Sequence, residues 1–253
     1  MLVLSLFPGI GLLDRGFDDA GFCVVRGPDL IFGGDIRRFS VPAGRFHGVI
    51  GGPPCQDFSK ARRDPATGNG VDMLAEFTRI VQEARPTWWL AENVPGVPDI
   101  KIDGYSWQRL DLRASDFGMA QRRLRHVQFG SNDGTQLLIN RPLRCVTAQE
   151  PTVTANDARP LVDLARLQGL PVGFDIPAFT RSELAKAIGN GVPYPMAVAL
   201  ADAVKHRSDY GQLCACRCGR RVVGRQLMAT NACRKRVHDR KSVTDQVNLV
   251  AGK

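Results

Sequence analysis

A thiol, a carboxylate and a glycine turn each close an apolar run in this 253-residue chain. Gly51-Gly52-Pro53-Pro54-Cys55-Gln56 places Cys55 just behind a tight Gly/Pro turn, at the end of Gly48-Val49-Ile50. Backbone N–H groups after such a turn can stabilise a thiolate, the form that attacks carbon. Trp88-Trp89-Leu90-Ala91 runs into Glu92-Asn93-Val94. A carboxyl group in an apolar rim has its pKa raised by desolvation, so it can donate a proton near neutrality. Phe7-Pro8-Gly9-Ile10-Gly11 follows the first apolar run, and its glycines permit close backbone approach to a ligand at a helix N-terminus. No P-loop Lys-Ser/Thr follows, which argues against a nucleoside triphosphate. Asp29 and Asp35 each read as ending a short strand one loop later. Carboxylates there can accept from a ribose or an adenine amine, which favours an adenosine-containing ligand. Each residue also has a plainer reading: an inert buried cysteine, a salt-bridged glutamate, aspartates that only cap helices.

The elements that must position these groups alternate. Leu2 to Phe7 reads as a buried strand, Leu12 to Ala20 as a helix, Phe22 to Val25 as a second strand. Gly34-Asp35-Ile36 closes another short element, and Gly48 to Ile50 is the next strand. A polar loop from Gln56 to about Asp72 is long enough to be a lid or a binding loop. Met73 to Ala84 reads as a helix and Thr87 to Ala91 as a strand behind Pro86. Such alternation describes an α/β fold with a doubly wound, mainly parallel sheet, whose ligands bind beyond the carboxyl ends of the strands. Gln121-Arg122-Arg123-Leu124-Arg125 follows; in an extended segment Arg123 and Arg125 face one side. From His126 to about Pro160 the periodicity fades into a small irregular lobe. Helices are expected over Leu161 to Leu167, Ser182 to Ile188 and Met196 to Lys205. The expected units are a catalytic domain over 1–125, a lobe over 126–160, returning helices over 161–205 and a basic tail over 208–253.

Charge separates the tail from the body. The formal net charge is +9, and residues 205–253 hold twelve Lys/Arg against three Asp/Glu, so the rest is balanced. The asymmetry argues for a neutral catalytic body with a segment that binds nucleic acid. Four of the seven cysteines lie in the tail. Their spacing accommodates one structural zinc on Cys214, Cys218, Cys233 and His238, with Cys216 as an alternative ligand; a basic tail with unliganded cysteines is the rival. Met1-Leu2-Val3-Leu4 reads as a strand rather than a leader, and no run reaches the length of a membrane span. A cytoplasmic, reducing setting is expected.

In order along the chain, the motifs resemble those of the DNA (cytosine-5) methyltransferase family. Phe7-x-Gly9-x-Gly11 is similar to that family's cofactor motif, Gly51 to Ser59 to its nucleophile motif, Glu92-Asn93-Val94 to the motif whose Glu contacts the target cytosine, and Gln121-x-Arg123-x-Arg125 to its Gln-x-Arg-x-Arg. Leu164 to Pro171 and Gly189-Asn190-Gly191-Val192-Pro193 resemble the later motifs, the last returning to the cofactor pocket. Where the family carries Glu and an aromatic, this chain has Gly27-Pro28-Asp29. The resemblance implies a Rossmann-like enzyme that moves a methyl group from S-adenosylmethionine to carbon 5 of a flipped cytosine in double-stranded DNA, through an adduct on Cys55. Glu92, Arg123 and Arg125 are its implied catalytic partners. Phe7, Gly9, Gly11, Asp29, Asp35, Ile36, Pro54, Asn190 and Val192 are implied around the cofactor, with Met73 or Leu74 from the following helix and adenine stacking on Pro28 or Ile36. It implies a monomer on DNA and a cognate restriction enzyme. A tRNA cytosine substrate, or a non-catalytic DNA-binding protein on the same fold, are the alternatives.

Overall fold

The computed structural model describes residues 1–58, 65, 67–141, 150–154, 157–171, 174, 176, 179–207 and 234–235. Six strands form one sheet: β1 (Leu2–Leu6), β2 (Cys23–Arg26), β3 (Gly48–Gly51), β4 (Trp88–Asn93), β5 (Ser106–Arg113) and β6 (Leu124–Ser131). Their spatial order is β2-β1-β3-β4-β6-β5. β1 to β4 run parallel, and β6 lies antiparallel between β4 and β5. The helices are α1 (Leu12–Asp19), α2 (Asn69–Ala84), α3 (Leu161–Leu167), α4 (Arg181–Asn190) and α5 (Tyr194–Lys205).

Helices on both faces give two cores, as a doubly wound sheet requires. On one face Phe17 of α1 and Leu200 of α5 pack with Trp88, Leu90 and Phe129. On the other, Phe77 and Ile80 of α2 pack with Val49 and Trp89. Consecutive strand residues point to opposite faces, so the two adjacent tryptophans of β4 supply one large ring to each core. Both are fully buried. Each lies over a glycine on the neighbouring strand: Trp88 opposite Gly48, Trp89 opposite Gly130. A Cβ at either glycine would collide with the indole. A third core joins α3 and α4 through Leu164, Leu167, Leu184 and Ile188.

Several expectations need correction. Gly34-Asp35-Ile36 ends no strand. Asp29 and Asp35 each cap a 3-10 turn instead, Leu30–Phe32 and Ile36–Arg38, because each side chain accepts the backbone N–H two residues on. α2 begins at Asn69, four residues before Met73, since the Asp57 carboxylate accepts the Gly70 N–H at 2.7 Å and secures the extra turn. The boundary drawn between 125 and 126 falls inside β6, which is a central strand. Its buried polar residues hid it: His126, Gln128 and Ser131 are each at most 1% exposed. Gln128 exchanges hydrogen bonds with the backbone N–H and C=O of Ile100 at 2.8 and 2.7 Å. A polar side chain satisfied in that way sits in a core at little cost. β5, which carries a plain alternation from Gln108 to Arg113, was overlooked altogether. The zinc ligands expected at Cys214, Cys218, Cys233 and His238, with residues Ser59 to Asp64 of the polar loop, lie outside the described residues.

Candidate active site

The functional side chains gather at one edge of the sheet. β1, β2, β3 and β4 end there, and antiparallel β6 begins there. A cleft of about 620 Å³ opens along that edge. Phe7, Gly9, Asp29, Asp35, Ile36, Pro54, Cys55, Met73, Glu92, Asn190 and Val192 all line it.

Its floor is the turn between β1 and α1. Gly9 and Gly11 have φ of 55° and 77°, which an L side chain adopts only with strain. Phe7 carries φ of 53° without being glycine, a cost of about 1–3 kcal/mol that the turn must offset. Asp29 fixes this turn from the side. Its Oδ2 accepts the Gly9 N–H at 2.8 Å and its Oδ1 accepts the Ile31 N–H at 2.9 Å. A carboxylate has further lone pairs, so Asp29 can still accept from a ligand. Behind the turn, buried Asp14 accepts from Ser5 at 2.5 Å and from Arg26 at 2.9 Å. Desolvation raises the Asp14 pKa against the pull of those partners.

Asp35 stands on the far wall. Arg37 donates to it from its backbone N–H at 3.0 Å and from Nε at 3.0 Å, and these bonds hold its carboxyl below the usual range. α2 keeps that wall in place. Arg79 donates to the carbonyls of Ile36 and Phe39 at 2.9 and 3.0 Å, and Glu83 accepts from Ser40 and from the Val41 N–H.

At the other end Cys55, partly exposed, follows β3. Burial pushes its thiol pKa up, the Glu92 charge adds to the rise, and Arg125 and Arg123 oppose it. Glu92 is 6% exposed at the end of β4. Its pKa is raised by desolvation, as its apolar surroundings led us to expect, and lowered in part by Arg125. Arg125 Nε lies 2.8 Å from Glu92 Oε1, a close ion pair whose N–H does not line up as a hydrogen bond. Two contacts bind the thiol's turn to the acid's strand. Asn93 donates to the Pro53 carbonyl at 3.0 Å, and a Cβ at Gly52 would meet Glu92 Oε2 at 3.4 Å.

Arg123 differs from the expectation set for it. Its guanidinium donates to the backbone carbonyls of Val153, Gly189 and Gly191 at 2.7–2.8 Å, and the residue is 1% exposed. Gln121 beside it donates to the Leu167 carbonyl and to Gln168, whose own amide donates to Ile188 and Gly191. This knot holds Asn190 and Val192 against the cleft. Arg123 therefore faces backbone and only Arg125 faces the acid. Nothing local separates two arginines on one side of a strand; the carbonyls that claim Arg123 come from residues 30 to 68 positions away.

Arg125, Gly11 and Leu74 also stand outside the cleft lining, Arg125 behind Glu92. Gly11 is the N-cap of α1, with the Arg26 guanidinium where its Cβ would be. Leu74 is 8% exposed in the core under α2, one residue round the helix from Met73. Sequence reasoning missed Thr67, Asn69 and Lys186 in the lining. Lys186 stands four residues before Asn190 on α4, so one helix face carries both. That spacing was the signal available.

The arrangement offers a partly exposed thiol, a carboxyl held towards its protonated form and a guanidinium beside it, at a cleft with a glycine floor. Comparison with known proteins follows the same direction. The C-5 cytosine-specific DNA methylase family matches residues 32–158. The Type II methyltransferase M.NgoPII of Neisseria gonorrhoeae is 27% identical over 192 residues, 62% of this chain and 55% of that protein. M.MthTI of Methanothermobacter thermautotrophicus is 30% identical over 207 residues, 67% and 61% of the two. The chain spans about half the length of the first curated relatives it matches. Among solved structures, a protein described as a DNA modification methyltransferase encoded within an E. coli prophage superposes with a TM-score of 0.66 at 18% identity, over 83% of this chain and 99% of that one. The S. pombe Dnmt2 methyltransferase gives 0.60 at 12%, over 81% and 98%. These two show the shared fold. With half of its length matched by the family and the thiol, acid and glycine turn all at one sheet edge, the chain belongs to the C-5 cytosine-specific DNA methylases.

Proposed function

We propose that this protein transfers a methyl group from S-adenosylmethionine to carbon 5 of a cytosine in double-stranded DNA. The observation that carries the reading is the placement of Cys55 and Glu92 at one end of the cleft that Phe7, Gly9, Asp29 and Asp35 line. The residues present fit an adenosine-bearing cofactor: a glycine floor, carboxylates fixed by backbone N–H groups, and apolar Ile36 and Met73 as walls. When bound, the cofactor supplies an electrophilic methyl group.

The chain's own residues do the rest. Carbon 5 of cytosine is a poor nucleophile until a thiolate adds to carbon 6. Cys55 forms that bond, and the ring becomes enamine-like. Glu92 hydrogen-bonds or protonates N3, stabilising the charge that develops there. Arg125, ion-paired to Glu92, holds the base oxygen and keeps the acid in place. After methyl transfer water takes the carbon 5 proton, the C–H electron pair forms the 5,6 double bond, and Cys55 departs as a thiolate with the pair of the sulfur–carbon 6 bond, so aromaticity returns. A stacked base hides carbon 6, so the cytosine must swing out of the duplex.

The domain roles follow from the same reading. Residues 1–131 with the helices of 161–205 form the catalytic body, and the segment beyond β6, to about Pro160, reads the target. The basic tail adds phosphate contacts and, through Cys214, Cys218, Cys233 and His238, one zinc, so elemental analysis should find about one zinc per chain.

Bisulfite sequencing of DNA from cells that express the chain tests the function, with matched tRNA as a second substrate. New methylcytosine in DNA at a recurrent site is the expected result. Methylation confined to tRNA would overturn the substrate, and none in either would overturn the activity. Duplex carrying 5-fluorocytosine at the target should trap the protein covalently on Cys55, and only when the cofactor is supplied.

A further inference from the structure

We infer that Asp57 is a positioning residue that locks the Cys55 turn to the α2 wall of the cofactor cleft; the inference rests on the reading of that cleft just given. Asp57 is two residues past the thiol, in the 3-10 turn Gln56–Phe58 that the Phe58 N–H closes onto the Cys55 carbonyl at 3.0 Å. Its two carboxylate oxygens reach across to the start of α2. Oδ1 accepts the Thr67 N–H at 3.0 Å and the Thr67 hydroxyl at 3.3 Å. Oδ2 accepts the Gly70 N–H at 2.7 Å.

The two segments so joined belong to different sides of the site. Cys55 and Gln56 line the cleft from one side, Thr67, Asn69 and Met73 from the other. Gly68 holds the N-cap position of α2 and has no side chain to cap it; the Thr67 hydroxyl accepts the Asn69 N–H at 3.3 Å, and the Gly70 N–H is left for a distant acceptor. Asp57 therefore supplies the cap from ten or more residues away. The approach is close: a Cβ at Gly70 would meet the Phe58 ring at 2.9 Å and Asp57 Cβ at 3.1 Å. Further along, Arg79 fastens the same helix to the carbonyls of Ile36 and Phe39. α2 thus spans from the wall that carries Asp35 and Ile36 to the turn that carries the nucleophile, and Asp57 is its joint at the nucleophile end.

Such a joint matters for a reaction in which one group binds the base and another wall holds the methyl donor. The reacting atoms must sit about 3–3.5 Å apart, and a misplacement of about 1 Å can cost about a hundredfold in rate. A residue that only caps a helix would change stability alone. A residue that sets the distance between the two walls changes cofactor binding and turnover together.

The full-length chain decides between these. S-adenosylhomocysteine affinity by calorimetry, kcat at saturating S-adenosylmethionine and Tm are measured for the wild type, Asp57→Ala and Asp57→Asn. Asp57→Ala should raise the Kd and lower kcat, each by about tenfold, as expected for lost charge-assisted hydrogen bonds. Asp57→Asn keeps one acceptor oxygen and should fall between. If Asp57→Ala yields no folded protein, Asp57→Asn alone is judged by the same two readouts. A lower Tm with wild-type Kd and kcat would overturn the inference and leave the cleft assignment intact. A wild-type chain that fails to bind S-adenosylhomocysteine would overturn the cleft assignment, and this inference with it.

Discussion

The two ends of the cleft handle charge in opposite ways. At the glycine-turn end, Asp29 and Asp35 stand near solvent, each accepting the backbone N–H two residues on, and Arg37 holds the Asp35 carboxyl below its usual range. At the catalytic end, Glu92, Arg123 and Arg125 are largely buried. Desolvation there pushes the Cys55 and Glu92 pKa values up, and pushes that of Arg123 well down. On the proposed reading the first end serves recognition, where a fixed ionised acceptor is useful at any ordinary pH. The second serves reactivity: desolvation helps Glu92 keep its proton, while the Cys55 thiol must lose its own against that same desolvation. The same sheet edge supports both because strands β3, β4 and β6 are central and β2 is at the margin.

Substitutions at the catalytic end should therefore dominate. Cys55→Ala should reduce methyl incorporation to background while S-adenosylhomocysteine still binds; turnover by that variant would break the covalent scheme. Glu92→Gln should lower kcat by about 10²- to 10³-fold, within the range for a lost general acid, with DNA binding little changed. The same change has a second signature in the alkylation of Cys55 followed against pH. The wild-type thiol, raised by burial and by Glu92, should react with a midpoint above that of an ordinary thiol. Removing the Glu92 charge should move the midpoint down, and Arg125→Gln should move it up. A midpoint unmoved by either would mean that these charges do not act on the sulfur.

Arg123→Met sharpens the contrast between two arginines on one segment. Three backbone carbonyls and a buried knot lose their donor, so unfolding by denaturant should show a loss of about 3–5 kcal/mol. Arg125→Met, which breaks an ion pair and leaves a single carbonyl, that of Leu124, without its donor, should cost less stability and more rate. At the recognition end Asp35→Asn keeps the turn's acceptor and loses the charge. About a tenfold rise in cofactor Kd with kcat little changed is expected by titration. The smallest effect should come from Thr180→Ala, remote from the chemistry. It opens the capping box with Glu183 at the start of α4, and Tm should fall by about 2–4 °C.

The contrast also governs what could be read in the residues beforehand. Cys55 and Glu92 were legible because each sits in a contiguous motif at the end of an apolar run, and the strand ends converge. Met73 and Leu74 were not separable, since neighbours on a helix point about 100° apart and the phase of α2 was set by a cap at Asp57. β6 was illegible for a related reason. Its inward polar residues are paid for by partners such as Ile100 and Asp111, which no local pattern reveals. The roles of Arg123 and Gln121 were set the same way, by chain that returns after residue 150. Local periodicity placed the elements, while buried polar contacts over long sequence separation decided which side chains were free for chemistry.

The glycine turn leads into α1, and α1 finds its partner at the far end of the described body. A Cβ at Gly16 would strike the backbone of Ala197 in α5, Tyr194 donates to Asp19 at 2.6 Å, and Lys205 donates to the Ala20 carbonyl at 2.8 Å. Contacts spanning some 175–185 residues close late in folding, because long loops must be ordered before they form. On the ribosome, α1 emerges well before α5 and must wait with its apolar face uncovered until α5 has been made. A nascent chain halted before α5 should therefore expose Leu13 and Phe17 to chaperones, and the glycine floor of the cleft should set only when synthesis has passed Lys205.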